Sequence, residues 1–233
     1  MTVSYQKILE LLALLAGEYG PLPPPRRFDP LTELVLTVLS QNTSDKNSHP
    51  AFEALKRRFA SWEEMAGASE GEIARPIRQG GLARIKASRL KAILQEIEKR
   101  RGRLDLEFLR ALPTAEARAW LRSLPGVGPK TAAVVLLFSL GKPGLPVDTH
   151  VHRVAVRLGL LPPGTSREKA HELLEAIVPP AGFCPFHLYL LEHGRRICRA
   201  RKPRCPLCPV SILCPSYGVF YPVVNREQVM ERV

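Results

Sequence analysis

The segment Leu124-Pro125-Gly126-Val127-Gly128-Pro129-Lys130-Thr131 sets two glycines, one residue apart, just before a lysine. It lies between two stretches expected to be helical, Ala115–Ser123 and Lys130–Leu140. Glycines so placed let the backbone turn sharply and let an anion come close. The helix that follows offers unpaired N–H groups at its positive end. Such a unit can hold a phosphate backbone without reading base sequence, and a plain tight turn between helices is the alternative. Lys130 opens the run Ala132–Phe138, which is apolar on every side and therefore expected to be buried. Burial and the positive helix end both disfavour an ammonium. A lysine with a pKa near 10.4 is only about 0.04% neutral at pH 7, and lowering that pKa by ~3 units requires ~4 kcal/mol. A desolvated amine can attack carbon and form a Schiff base. A lysine that only contacts phosphate is the other reading.

Asp148 follows in Val147-Asp148-Thr149-His150-Val151-His152-Arg153-Val154. Its side chain could cap the next helix, and a cap can also serve as a catalyst. Further on, Cys198, Cys205, Cys208 and Cys214 are spaced C-x6-C-x2-C-x5-C. Four thiolates gathered this closely call for a metal, either tetrahedral zinc or a cubane iron–sulfur cluster. The spacing alone does not separate the two. Between the first two cysteines, Arg199-Ala200-Arg201-Lys202-Pro203-Arg204 puts four cations in six residues. A metal that pins this loop makes it a rigid phosphate grip; a solvated charged loop is the plainer reading. Cys184 falls outside the spacing and is expected to be a small buried residue.

The elements that position these groups read as helices. Leu31, Leu34, Val35, Val38 and Leu39 form one apolar helical stripe, and Leu90, Ile93, Leu94 and Ile97 form another, with Lys91, Glu96 and Lys99 on the wet side. Thr165-x-x-Glu168 reads as a capping box that opens a helix through Leu173, Leu174 and Ile177. Proline and glycine clusters at Pro23–Pro25, Lys142–Pro146, Leu161–Gly164 and Pro179–Gly182 separate the helices. Strand-like alternation is scarce, so the fold class is all-α.

The chain carries 34 Lys and Arg against 22 Asp and Glu, a formal charge of +12 over 233 residues. That surplus points to a polyanionic partner, because each phosphate neutralised releases a counterion. Nonspecific nucleic-acid or ribosome binding is the plainer version. Hydrophobic content of 45% and charged content of 24% argue against bulk disorder. The length suits one large domain or two intimate ones. No segment approaches the ~18–20 apolar residues of a membrane span. The run Leu11–Ala16 lacks the flanks of a signal peptide. A cytosolic setting is expected, where disulfides are rare, so five cysteines suggest metal chemistry.

Taken together, Leu124–Ala132 and Val147–Val154 resemble the endonuclease III branch of the helix–hairpin–helix DNA glycosylases, and with the cysteine loop the resemblance covers most of the chain. It implies two helical subdomains with the DNA cleft between them. One, barrel-like, spans 24–142 and carries the helix–hairpin–helix at 124–131. The other combines 1–23 with 143–218 and holds the loop 198–214; a tail follows at 219–233. It implies base-excision repair by a bifunctional glycosylase and abasic-site lyase acting on oxidised pyrimidines. Lys130 would attack C1′ of a flipped nucleotide, with Asp148 assisting, and the Schiff base would undergo β-elimination.

By the same resemblance the four cysteines would hold a [4Fe–4S] cluster. Gln41, in Leu39-Ser40-Gln41-Asn42-Thr43, would fill the gap left by the flipped base, and Leu82, after Gly81, would wedge beside the estranged one. Plugs of this kind offset an unstacking cost of a few kcal/mol. An ordinary polar helix end and an ordinary core leucine are the plainer readings of the two. Gly126, Val127 and Gly128 would meet the DNA backbone together with His150 and Lys202. The implied partner is double-stranded DNA carrying damaged bases or abasic sites, bound by a cytoplasmic, nucleoid-associated monomer with no membrane involved. Two other readings are a mismatch glycosylase for T or U opposite G and a noncatalytic helix–hairpin–helix DNA-binding protein. Lys130 speaks against the first. The sequence departs from the better-known bacterial members at Ser44-Asp45-Lys46-Asn47.

Overall fold

The computed structural model describes residues 5–22, 28–43 and 45–221. Pro23–Pro25, Ser44 and the tail from 222 onward lie outside them. The described residues are helical, with no strand among them, so the fold is all-α as the periodicity implies. The chain divides into two compact units, Pro25–Pro146 and Met1–Pro24 with Val147–Val233. No single helix among the described residues is long and apolar enough to cross a membrane.

In the unit Pro25–Pro146 the core begins with the helix Pro30–Ser40. Asp29 caps it by accepting from Leu31 N at 3.1 Å and Thr32 N at 3.0 Å, and Pro30 takes the first helical position. Residues 30–39 are buried on every side of this helix, not along one stripe. The helix Ala83–Arg101 buries Leu90, Ile93, Leu94 and Ile97, as their spacing requires. It stops at Gly102, whose φ of +70° suits glycine, with Lys99, Arg100 and Arg101 in its last turn. Both helices meet Leu121, Leu124, Ala132, Val135 and Leu136 in one core. The apolar run after Lys130 is not a single α-helix. It is α-helical over Pro129–Val134 and π-helical over Val135–Leu140. This wider winding leaves Leu137 and Phe138 half-buried.

The other unit packs the N-terminal helix Tyr5–Tyr19 through Ile8, Leu11 and Leu15. Its other main helices are Thr149–Arg157, Arg167–Ile177 and Phe183–Arg196. Lys7 Nζ donates to Leu158 O at 2.7 Å and Tyr189 donates to Gly20 O at 3.1 Å, which ties the N-terminal segment to the later helices. Helix Arg167–Ile177 is capped by Ser166, which accepts from Lys169 N at 3.2 Å. The expected Thr165-x-x-Glu168 capping box does not form: the Thr165 hydroxyl donates to Pro162 O at 2.7 Å, and the cap one residue later has Lys169 at its third helical position, which cannot complete a box. Three short 3-10 and α turns, Cys205–Leu207, Ser211–Leu213 and Tyr217–Phe220, carry the chain past the last three clustered cysteines.

Candidate active site

The hairpin falls between helices Thr114–Arg122 and Pro129–Val134. Gly126 has φ +72°, and a Cβ there would lie 2.3 Å from Arg89 Nε, so only glycine fits the turn over that side chain. Gly128 is different: a Cβ would meet nothing within 4 Å. Internal packing does not require this glycine, whereas close approach by an external group would. Val127 is 6% exposed and belongs to the core, so it can present only backbone to a ligand. Lys130 stands half-buried in the first turn of the helix that Pro129 begins.

Around Lys130 the unit gathers groups that the sequence did not single out. Glu33, only 8% exposed, accepts from Thr37 Oγ1 at 3.4 Å. Burial pushes its carboxyl up to about 7 against the pull of that hydrogen bond and of positive charge on Lys130 and His49. Gln41 is half-buried and occupied at both ends of its amide. It donates to Thr131 Oγ1 at 3.1 Å and accepts from Arg89 Nη1. The Arg89 side chain thus braces Gln41 and underlies the hairpin at once.

Leu82 is 49% exposed and is not a core residue. It adopts φ +52° and ψ +33°, the left-handed region that disfavours leucine, at the start of helix Ala83–Arg101. Ile85 beside it is 56% exposed. The loops bearing Gln41 and Leu82 are tied together by Lys86, which is 2% exposed and donates to Leu39 O at 2.6 Å and Gly80 O at 2.9 Å. A signal for Lys86 was present: it lies four residues before Leu90, on the face that Leu90, Ile93, Leu94 and Ile97 extend. Glu33 likewise stands out as the one charge in Pro30–Leu39.

The remaining residues belong to the other unit. Asp148 caps helix Thr149–Arg157, its Oδ1 accepting from His150 N and Val151 N, each at 2.8 Å. The capping reading of this aspartate holds. His150 is half-buried, with Nδ1 3.2 Å from Arg153 Nη2. A Cβ on Gly194 would come within 2.8 Å of His150 Cβ, so Gly194 lets the two helices close here. His152 meets Thr165 O through Nε2 at 2.8 Å, a satisfied structural role.

Cys198, Cys205, Cys208 and Cys214 line one pocket with Val154, Ile197, Val210 and Phe220. Burial pushes the Cys208 thiol up to about 11 and raises those of Cys205 and Cys214. Four thiolates in such a wall need a positively charged centre to exist. Arg157 stitches the loop down, donating to Arg199 O at 2.6 Å, Ala200 O at 3.1 Å and Cys198 Sγ at 3.4 Å, and lying 4.4 Å over the Phe220 ring. Arg153 holds the carbonyls of Cys198 at 3.0 Å and Gly194 at 2.8 Å. His193, 1% exposed, sits between Tyr19 and Cys208, and burial pushes its imidazole down to about 4. Lys202 is exposed at φ +50°, with Arg199, Arg201 and Arg204 exposed around it. Cys184 is half-buried, not fully buried, and does not line the pocket.

Comparison with known proteins agrees with this architecture. Residues 35–180 match the family model described as HhH-GPD superfamily base excision DNA repair protein. Endonuclease III of Thermotoga maritima is 36% identical over 190 residues, covering 81% of this chain and 84% of that one. A trapped endonuclease III–DNA covalent intermediate superposes with a TM-score of 0.80 at 28% identity, over 94% of this chain and 99% of that one. A thermostable thymine-DNA glycosylase does so with a TM-score of 0.70 at 26% identity, over 92% and 98%. The chain belongs to the HhH-GPD superfamily of base excision DNA repair proteins.

Proposed function

We propose that this protein is a bifunctional DNA glycosylase and abasic-site lyase for oxidised pyrimidines, with Lys130 as its nucleophile. The observation that carries the reading is Lys130 half-buried in the first turn after Gly126-Val127-Gly128, with the charge of Glu33 close enough to interact. The endonuclease III relatives, one of them trapped covalently on DNA, support the same chemistry.

In this mechanism the hairpin backbone and the helix end behind it hold a phosphate of the lesion strand. Loss of the Lys130 proton frees a lone pair to attack C1′ of the flipped nucleotide. The C1′–N bond breaks, its electrons leave on the base, and the base takes up a proton. Opening of the sugar ring gives an iminium between Nζ and C1′. Removal of a C2′ proton then expels the 3′ phosphate by β-elimination. Asp148 is assigned the carboxylate that assists base departure, on its place in the Val147-Asp148-Thr149-His150 motif. Gln41 is assigned the plug and Leu82 the wedge, each released by lesion DNA from the geometry it holds here.

The four clustered cysteines are assigned a [4Fe–4S] cluster. Four cysteine sulfurs lining one pocket supply the full ligand set that such a cluster takes, and the spacing C-x6-C-x2-C-x5-C resembles that of the endonuclease III family. When bound, the group braces the loop, so that Arg199, Arg201, Lys202 and Arg204 form a fixed cationic surface for the DNA backbone. We assign the active species as a cytoplasmic monomer.

Borohydride reduction of the protein on an abasic-site duplex tests the central assignment. The expected result is a covalent adduct that Lys130→Ala abolishes. Iron-loaded protein that yields no adduct would rule out the lyase. An adduct that persists in Lys130→Ala would move the nucleophile elsewhere.

A further inference from the structure

The pocket wall holds a side-chain chain that neither the hairpin chemistry nor the brace uses. The Tyr19 hydroxyl is 2.8 Å from His193 Nδ1, and His193 Nε2 is 3.6 Å from Cys208 Sγ. His193 lies on the face of helix Phe183–Arg196 that also buries Phe186 and Leu190. It is a polar residue on that apolar face, at 1% exposure. We propose that Tyr19 and His193 form a relay that donates a hydrogen bond to the Cys208 sulfur and thereby sets the electron affinity of the cluster. The inference rests on the four-cysteine cluster proposed above.

The direction of the relay follows from the groups themselves. A cluster-bound Cys208 sulfur is a thiolate and can only accept, so His193 Nε2 must carry the hydrogen. In the tautomer that carries this hydrogen, Nδ1 is the accepting nitrogen. The Tyr19 O–H lies within reach to donate to it, and this fixes the tautomer. A ring nitrogen that orients and polarises a ligand from behind is the usual second layer of a metal site. Hydrogen bonds to cluster sulfurs favour the electron-rich state and are one of the levers that set its potential. Arg157 Nη1 gives the Cys198 sulfur a comparable bond at 3.4 Å, but Arg157 also holds two loop carbonyls. His193 meets the loop through its backbone carbonyl, which accepts from Cys198 N at 2.9 Å; a side-chain substitution leaves that bond in place, so the electronic effect of the imidazole can be isolated.

The test is the midpoint of the cluster's one-electron couple, measured at a DNA-modified electrode with full-length holoprotein. Iron and sulfide content of each sample is measured alongside. His193→Phe should lower the midpoint by about 59 mV, a tenfold loss of preference for the reduced form. Tyr19→Phe should lower it by a smaller amount, because the bare Nδ1 then lets the ring hydrogen move away from Cys208. His193→Gln restores an N–H donor that does not depend on Tyr19, so its midpoint should return toward wild type and ignore Tyr19→Phe. Fully loaded His193→Phe and Tyr19→Phe at the wild-type midpoint would overturn the relay while leaving the cluster in place. Wild-type protein lacking four irons per chain would instead overturn the cluster itself. Should His193→Phe fail to retain iron, loaded Tyr19→Phe decides: a lowered midpoint supports the relay, an unchanged one overturns it.

Discussion

The ammonium of Lys86 donates to the carbonyl of Leu39 at 2.6 Å while only 2% of the residue is exposed. Its second bond, 2.9 Å to Gly80 O, makes one buried cation the shared anchor of the Gln41 and Leu82 loops. Burial lowers the Lys86 pKa, and the two carbonyls compensate the desolvated charge. Lys86→Met keeps most of the stem and leaves both carbonyls unmet. Charge-assisted bonds contribute ~1.5–3 kcal/mol each, so a loss of about 3 kcal/mol is expected. Urea unfolding should show a lower midpoint at an unchanged slope, together with reduced excision. An unchanged midpoint would show that these loops are held by other contacts.

Leu82 occupies a left-handed backbone, φ +52°, although its side chain is 49% exposed and adds little to the core. Strain kept without packing gain points to a role outside folding. Leu82→Gly relieves a cost of roughly 1–2 kcal/mol, offset in part by the entropy glycine loses on folding. The variant should melt at or above the wild-type temperature while excision falls about tenfold or more, in line with the few kcal/mol of unstacking a wedge offsets. Retained excision would remove the wedge assignment.

The hairpin turn and the pocket of four cysteines were legible in the sequence because each is built from a short stretch of chain. Gly126, Gly128 and Lys130 are fixed in relation to one another by a single turn, and the cysteine spacing needs no long-range information. Lys86 and Glu33 were readable as charges on apolar faces, but not their partners. The carbonyl that Lys86 reaches lies 47 residues away, and only packing brings it there. The switch to π-helix at Val135 left no trace in the pattern either, since a run of apolar residues satisfies a helix of either pitch. The cap at Ser166 was missed by one residue because Thr165 and Ser166 have equal capping chemistry.

Lys202 stands exposed in the cysteine loop, at φ +50°. Lys202→Gln removes the charge and keeps an unbranched polar side chain at that position. Affinity for a lesion duplex should fall, and the slope of log affinity against log salt should shrink by about 0.9, the share of one phosphate that the variant no longer neutralises. Relative affinity among lesions should stay constant. A change in lesion preference would mean that Lys202 reads the base and not the backbone.

Glu33, whose carboxyl feels the charge of Lys130, offers a pH test of that residue's surroundings. Its folded pKa is raised to about 7 from 4.5, mainly by burial. Because the folded state binds this proton more tightly, its stabilising contribution is complete below about pH 4.5. It is lost as pH rises toward 7 and absent above. A shift of this size corresponds to a few kcal/mol. Glu33→Gln mimics the protonated acid and keeps an acceptor for Thr37. Its stability should match wild type at the acid end and exceed it progressively through that window. Parallel stability curves would show that Glu33 is ionised throughout, held so by Lys130 and His49. In that case Glu33 stays a carboxylate across the window, and the ratio of wild-type to Glu33→Gln lyase rates should be constant between pH 4.5 and 7.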